Sequence, residues 1–193
     1  MSVHKNIVLI LGHPDSSEAH FCHALADRYR AGAESAGHRV TTVDVGRLDF
    51  PLLRSRKDWE EGETPPALKE AQRTILDADH LVIIFPLWLG GMPALLKGFL
   101  EQVLRPSLAA SPKEWGKLLK GCSARIIVTM GMPGFFYRLF YRAHSLKALK
   151  RNILAFTGVG PIGTTVFGLV EGASEEKRAQ RLALMHRYGH NAD

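Results

Sequence analysis

Two short stretches carry residue types whose spacing could do chemistry. Residues 85–107, FPLWLGGMPALLKGFLEQVLRPS, pass from an apolar run through Pro86, Leu87, Trp88 and Leu89 to a Gly90-Gly91 pair. Met92-Pro93 then opens a helix, since proline is tolerated in a first turn. A glycine pair leaves the backbone uncovered, so a flat ring can approach it closely. Residues 12–25, GHPDSSEAHFCHAL, set Ser16 and Ser17 just ahead of a helical stretch. Free amides and the helix dipole there make a natural phosphate seat. Serine before a helix is also an ordinary N-cap, and His13 and His20 either donate to a phosphate or cap the turn.

A flavin would need this combination: an apolar or aromatic wall, a phosphate seat, and backbone N–H groups aimed at the polar edge of the ring. Such dipoles stabilise the negative charge of the reduced ring without a charged side chain. The alternative is a connector whose tryptophan packs on the next helix. Other chemistries find less support. Residues 12–25 contain neither a Gly-x-Gly-x-x-Gly nor a Walker phosphate loop, which argues against a Rossmann dehydrogenase and an NTPase. The 9 histidines are scattered outside any metal-ligand motif, so no metal is expected. Cys22 and Cys122 lack Cys-x-x-Cys spacing and read as buried, inert thiols.

The elements that must position these stretches are an alternation of apolar runs and helical patterns. Strands are expected at residues 6–12, 39–45, 80–86, 124–131 and 163–170, each rich in β-branched residues. Near-continuous apolar strands indicate a parallel sheet covered on both faces. Helices are expected from Ser17 to Ala36, from Thr64 to Ala78, from Met92 to Leu104, over 138–156 with a basic face, and after an N-cap at Ser174. The expected fold class is α/β, a three-layer sandwich forming a single domain over residues 1–193. Its five-stranded parallel sheet has the order 2-1-3-4-5, with helices on both faces. In such a sheet ligands sit beyond the carboxyl ends of the strands, at the switch point between strands one and three. Residues 46–63 and 105–121 are longer than connectors require, which points to a functional or interface role.

Composition bounds the partners. The formal charge of +6 and the pI near 9.5 raise a nucleic-acid reading. The densest basic stretch, residues 138–151, instead reads as the solvated face of an amphipathic helix, so no nucleic-acid partner is expected. A mildly basic surface also suits an anionic reductant such as NADPH. No apolar run approaches the ~18 residues that span a bilayer. The run IVLIL reads as a strand rather than a signal-peptide core, so the expected location is the cytoplasm, without membrane insertion.

On these motifs the chain resembles the flavodoxin-like NAD(P)H:quinone oxidoreductases, in order and spacing over almost its whole length. FPLWLGGMPALLKGFLEQVLRP is similar to their hallmark segment, GHPDSSEAHFCHAL to their phosphate loop, and VTMGMP (128–133) to their third flavin loop. The resemblance implies a tightly bound FMN or FAD, with the single domain favouring FMN. It implies ping-pong hydride transfer from NAD(P)H to a quinone-like acceptor, and a homodimer. By position it assigns His13, Ser17, Ala19 and His20 to the phosphate end, Pro86, Leu87, Trp88 and Leu89 to the ring, and Thr129, Met130 and Gly131 to its other side. Tyr137 and His144 become candidates for stabilising reduced flavin; the alternative is helix residues facing solvent or a partner subunit. The chain departs from the family in RPSLAAS (105–111), in the incomplete glycine pair of the third loop, and in His20 where asparagine is common. Two other readings are a flavodoxin-like electron carrier, which would more usually be acidic and lack the PALLKGF helix, and a nucleotide-binding regulatory subunit of a membrane partner.

Overall fold

The structure is a computed structural model describing residues 4–193. In chain order the elements are β1 (Asn6–Leu11), α1 (Phe21–Ser35), β2 (Arg39–Asp44), α2 (Arg56–Glu60), α3 (Pro66–Leu76), β3 (His80–Pro86), α4 (Ala94–Val103), α5 (Pro112–Trp115), β4 (Ser123–Thr129), α6 (Gly134–Leu139), α7 (His144–Ala148), β5 (Ile162–Phe167) and α8 (Glu175–Asn191). The sheet has the order β2-β1-β3-β4-β5 with every pairing parallel, as the apolar runs require.

Alternation along each strand sends neighbouring side chains to opposite faces, and both faces are dry. Val8, Ile10, Leu81, Ile83, Phe85, Ile126 and Val128 pack with α3 and α4 on one side. Ile7, Leu9, Val82, Ile84 and Ile127 meet α1 and α8 on the other. The α1–α8 contact is close enough for backbone to touch backbone. A Cβ on Gly32 would collide with the His186 carbonyl oxygen, and one on Gly189 with the Tyr29 carbonyl oxygen. Across the sheet, Arg105 is almost wholly buried without a carboxylate partner. Its Nε donates to the Gln102 carbonyl at 3.1 Å, and Nη1 donates to the Asp58 and Glu63 carbonyls at 3.3 and 2.9 Å. One guanidinium therefore pins the first long excursion, with α2 in it, to the end of α4.

Two expected helices are corrected. The first begins at Phe21 rather than Ser17, because the Asp15 carboxylate takes the Ser17 amide and hydroxyl at 2.9 and 2.6 Å and holds residues 15–17 in a turn. The expected helix over 138–156 is broken: α6 ends at Leu139, and Arg142 and Ala143 adopt φ of 50° and 49°. The chain restarts as α7 and continues through wider π-helical turns over Leu149–Ala155. The kink buries Ala143 and lets the Leu146 amide donate to the Tyr137 hydroxyl at 3.3 Å. Strands four and five also stop short of their expected ends, at Thr129 and Phe167. Ser174 caps α8 as expected, accepting from the Lys177 amide at 3.3 Å. Among the described residues no helix is long and apolar enough to cross a membrane, and no group of three His, Cys, Asp or Glu side chains could hold a metal.

Two stability tests follow from buried features. His80 lies in the base of the sheet with Nδ1 2.7 Å from the Ser123 hydroxyl, and burial lowers its pKa to about 4, helped by the Lys5 and Arg125 charges. An unfolded histidine protonates near 6.5, so the unfolded state takes up a proton first as the pH falls. Stability contributed by neutral His80 is therefore full above pH ~6.5 and is lost progressively down to pH ~4, by about 3 kcal/mol in total. Urea unfolding at a series of pH values should show that decline, and His80→Gln should flatten it. Gly189→Ala should destabilise by about 1–3 kcal/mol through overpacking, read as a lower thermal midpoint; an unchanged midpoint would mean that α8 can slide away from α1.

Candidate functional site

The loops after β1, β3 and β4 meet at the carboxyl edge of the sheet, and the β5–α8 loop joins them. They enclose a cleft of about 330 Å³ lined by His13, Ala19, His20, Phe21, Cys22, Pro86, Trp88, Thr129, Val170, Glu171 and Arg178.

The first wall is an imidazole stack. The His13 and His20 rings lie 3.9 Å apart at 20° to each other, with His23 at 5.8 Å from both. His13 is buried, and its Nδ1 sits 2.8 Å from the Asp15 carbonyl oxygen. Burial lowers its pKa, against the pull of that backbone hydrogen bond. His20 Nε2 reaches Asp15 Oδ2 at 3.0 Å. The Ser17 hydroxyl and amide, then His20, hold the Asp15 carboxyl well below its ordinary value. Asp15 therefore organises the loop as a permanent anion. It also occupies the Ser17 donors, so Ser17 supports the turn and does not line the cleft. At the start of α1 the His20 amide donates to His23 Nδ1 at 3.2 Å and the His23 amide to the His20 carbonyl at 2.9 Å, so the Phe21 and Cys22 amides are the ones at this helix end that an outside acceptor could take.

The second wall is the turn after β3. The Leu87 amide donates to the Thr129 carbonyl at 2.7 Å, and Trp88 and Gly91 exchange amide–carbonyl hydrogen bonds of 2.9 Å each. Leu89 and Gly90 have φ of 44° and 77°, the two consecutive positive values of a tight hairpin-type turn. The Gly90 side of the turn is open, since nothing lies within 4 Å of where a Cβ would stand. For leucine that backbone is strained, and its side chain is fully exposed (109%) at the tip. Trp88 is half exposed (51%), with its ring edge-on to His13 at 6.0 Å. It projects into the cleft mouth instead of disappearing into the core.

The floor is Thr129, whose hydroxyl lies 3.3 Å from the Cys22 thiol. Met130 belongs to the core: it is buried, its amide donates to the Phe167 carbonyl at 2.9 Å, and its carbonyl accepts from the Val170 amide at 3.2 Å. Gly131 is exposed and faces the Glu171 carboxylate, 3.8 Å from where a Cβ would stand.

Of the residues expected from sequence, His13, Ala19, His20, Pro86, Trp88 and Thr129 share the cleft. Leu89 lines an adjoining groove, and Leu87 packs against the core. The Leu87, Trp88 and Met130 amides are all engaged within the protein. Tyr137 is 1% exposed, away from the cleft lining, and its hydroxyl accepts from α7. His144 is exposed on the first residue of α7, beside Ser145 of the adjoining groove.

Sequence reasoning missed Arg178, Glu171 and Val170. Arg178 is the fourth residue of α8, where sequence spacing shows only a charged first turn. Its Nη2 donates to the Val170 and Glu171 carbonyls at 3.1 and 3.4 Å, and its Nε to the Ala173 carbonyl at 3.3 Å. Those bonds hold a cation at the cleft. The signal available was an arginine one turn past a helix cap at a strand end, too common to single out.

The donor set fits a phosphate-bearing ligand with a flat ring: imidazoles, a helix start and a fixed guanidinium share the cleft with Trp88, Pro86 and Thr129. The thiol in the floor is inert, with burial pushing Cys22 up to about 11 and Cys122 up to about 12. At pH 8 a disulfide reagent such as DTNB should titrate neither cysteine rapidly in native protein and both after denaturation; fast native labelling of one thiol would show that the floor opens.

A family described as "Flavodoxin-like fold" matches residues 5–188. The chain is 26% identical over 185 residues, 93% of its length and 91% of the other's, to an uncharacterized NAD(P)H oxidoreductase of Haemophilus influenzae. It is 30% identical over 135 residues, 65% of each chain, to an FMN-dependent NADH:quinone oxidoreductase of Clostridium beijerinckii. The solved NAD(P)H:quinone oxidoreductase of Methanothermobacter marburgensis superposes with a TM-score of 0.83 and 22% identity, covering 99% of this chain and 97% of that one, a likeness of fold.

Proposed function

Given that the chain belongs to the flavodoxin-like fold family, we propose that it is a flavin-dependent NAD(P)H oxidoreductase that reduces quinones or similar small electrophiles. The observation that carries this reading is the convergence of the imidazole stack, the α1 start, Arg178 and the projecting Trp88 in one cleft at the switch point of the sheet. The names of the Haemophilus and Clostridium relatives support the activity, and that of the Clostridium relative supports FMN.

When bound, the flavin supplies reversible uptake of a hydride equivalent. The chain supplies position and field. His20, the first amides of α1 and Arg178 hold the phosphate. Ser17 and Asp15 fix the loop that carries His20. Pro86, Trp88 and Thr129 border the ring and keep water from its face, with Leu87 and Met130 setting the backbone on which they stand. Gly131, facing the Glu171 carboxylate at the rim, would complete the third loop around the group. The cleft mouth beside Trp88 would admit NAD(P)H and the acceptor one after the other, and a productive approach would need reacting atoms roughly 3–3.5 Å apart. His144, exposed at the start of α7, or Tyr137, whose hydroxyl accepts from the Leu146 amide, would be the side chain that relays a proton to the acceptor. A homodimer is part of this reading. So is a cytoplasmic location.

Purified protein, or protein reconstituted with FMN, should absorb near ~370 and ~450 nm and oxidise NADPH in the presence of menadione. Trp88→Ala should lose most of its flavin while keeping the thermal midpoint of the flavin-free protein, since the side chain is outside the core. Flavin-loaded protein without turnover would overturn the enzyme reading, and full flavin content in Trp88→Ala would overturn the role of Trp88.

A further inference from the structure

The segment after the third loop exposes more apolar surface than packing explains. Phe135, Phe136, Leu139, Phe140 and Tyr141 are half of the 10 large apolar side chains that the described residues leave exposed. Residues 135, 136, 139 and 140 share one face of α6 and its C-cap. Tyr137 points the other way, into the core. The outer rings order one another: Phe136 and Phe140 stack at 5.0 Å and 6°, and Tyr141 meets them edge-on at 5.8 and 5.2 Å. Leu139 and Phe140 protrude, at 76% and 69% exposure. Leu169, half exposed at a φ of 52°, adjoins Phe135 in a hollow of about 510 Å³ that Arg138 and Arg181 also line. Contiguous apolar surface of this kind marks an interaction site.

The charge around the patch selects its occupant. Residues 115–170 hold 8 Lys and Arg and no Asp or Glu, so the excess of +6 lies within them and the rest of the chain is slightly acidic. Arg138, Arg142, Lys147, Lys150 and Arg151 are exposed on α6, the kink and the turns that follow. No salt bridge among the described residues involves any of these five. In the hollow, Arg181 Nη2 donates to the Gly168 carbonyl at 2.6 Å, and its Nη1 is buried without a partner. Aromatic and aliphatic side chains on one face with unpaired cations beside them are what an interfacial helix presents to a bilayer. A second copy would set the same cations against each other across a two-fold contact, where like charges repel. A folded partner would need a pocket shaped to the protruding rings, whereas a fluid acyl boundary takes them as they stand. Anionic headgroups supply the missing counter-charge.

We propose that α6 and the basic turns after it dock the chain on an anionic lipid surface. Leu139 and Phe140 enter the headgroup–acyl boundary, and Arg138, Arg142 and the cations that follow lie against lipid phosphates. The chain rests on the bilayer without crossing it, since no helix among the described residues is long and apolar enough to span. Docking needs neither flavin nor turnover, so it stands or falls apart from the oxidoreductase reading.

The test is flotation of the purified full chain with vesicles of phosphatidylcholine alone and of an equal mixture of phosphatidylcholine and phosphatidylglycerol. The chain should float with the anionic vesicles and stay behind with the neutral ones, and added salt should release it. Each Lys or Arg near such a surface is worth about fivefold in affinity, so Arg138→Gln with Arg142→Gln should weaken binding by about twentyfold. Leu139→Ser with Phe140→Ser should weaken it at least about tenfold, at an unchanged thermal midpoint, because both side chains stand in solvent. In the unaltered chain, anionic vesicles should slow hydrogen exchange at the amides of residues 134–142. No flotation with anionic vesicles overturns the proposal. Flotation that survives Leu139→Ser with Phe140→Ser overturns it too, leaving only a diffuse attraction of charges. A dimer whose α6 amides are protected without lipid, and which binds no vesicles, assigns the patch to a second copy. Retention on duplex DNA with no vesicle binding assigns the cations to a nucleic acid, and either result overturns the lipid surface.

Discussion

The pairing of β3 with β1 on one side and β4 on the other is the constraint on which the cleft depends. Because β1 and β3 are neighbours though β2 lies between them in sequence, the connections leave the sheet in opposite directions, and a crevice opens where they part. The pairing extends past the strands themselves. The Gly12 amide donates to the Ile84 carbonyl at 2.8 Å, Leu87 to Thr129 at 2.7 Å, and Met130 to Phe167 at 2.9 Å. These bonds carry the register of the sheet into the loops, so His13, Pro86 and Thr129 stand on rigid backbone although each lies at or beyond the end of its strand.

From that frame the polar and apolar parts of the cleft separate for physical reasons. The loop after β1 is short of burial and rich in hydrogen-bonding groups, so Asp15, Ser17, His20 and His13 satisfy one another and present a fixed cluster. The turn after β3 does the reverse. Its amides are consumed internally by Leu87 and by the Trp88–Gly91 pair, which leaves large apolar side chains, Trp88 and Leu89, projecting into solvent. A strained leucine at positive φ and an exposed tryptophan are costs that packing does not require, and they sit where a ligand would cover them.

The same contrast separates the two long excursions from ordinary connectors. Arg105 satisfies carbonyls from Asp58 and Glu63 deep inside the protein, which fixes the first excursion against α4. Trp115 and its neighbours finish the second. Between them the outer face of α4, which would be solvated in a minimal sandwich, becomes one wall of a hollow closed by Trp59, Trp115 and Phe156.

The sequence by itself determined the strands, their order, the cap at Ser174 and the three loops at the carboxyl edge. Apolar periodicity and capping chemistry are local, and the winding rules leave few topologies. It also marked six of the residues that line the cleft: His13, His20, Pro86 and Trp88 carry local signals at strand ends, whereas Ala19 and Thr129 came only from the family resemblance. Only the tertiary structure decided the rest. The resemblance offers Tyr137 for stabilising reduced flavin, but it is buried behind the left-handed kink at Arg142 and Ala143 and its hydroxyl accepts from the Leu146 amide of α7. The resemblance puts Met130 beside the ring, but its backbone pairing with Phe167 and Val170 sets it in the core. Arg178, unremarkable on a charged first turn of α8, reaches the cleft because the β5–α8 loop folds back over it. In each case the deciding partner is remote in sequence or hidden in a backbone angle, and side-chain type and spacing carry no record of either.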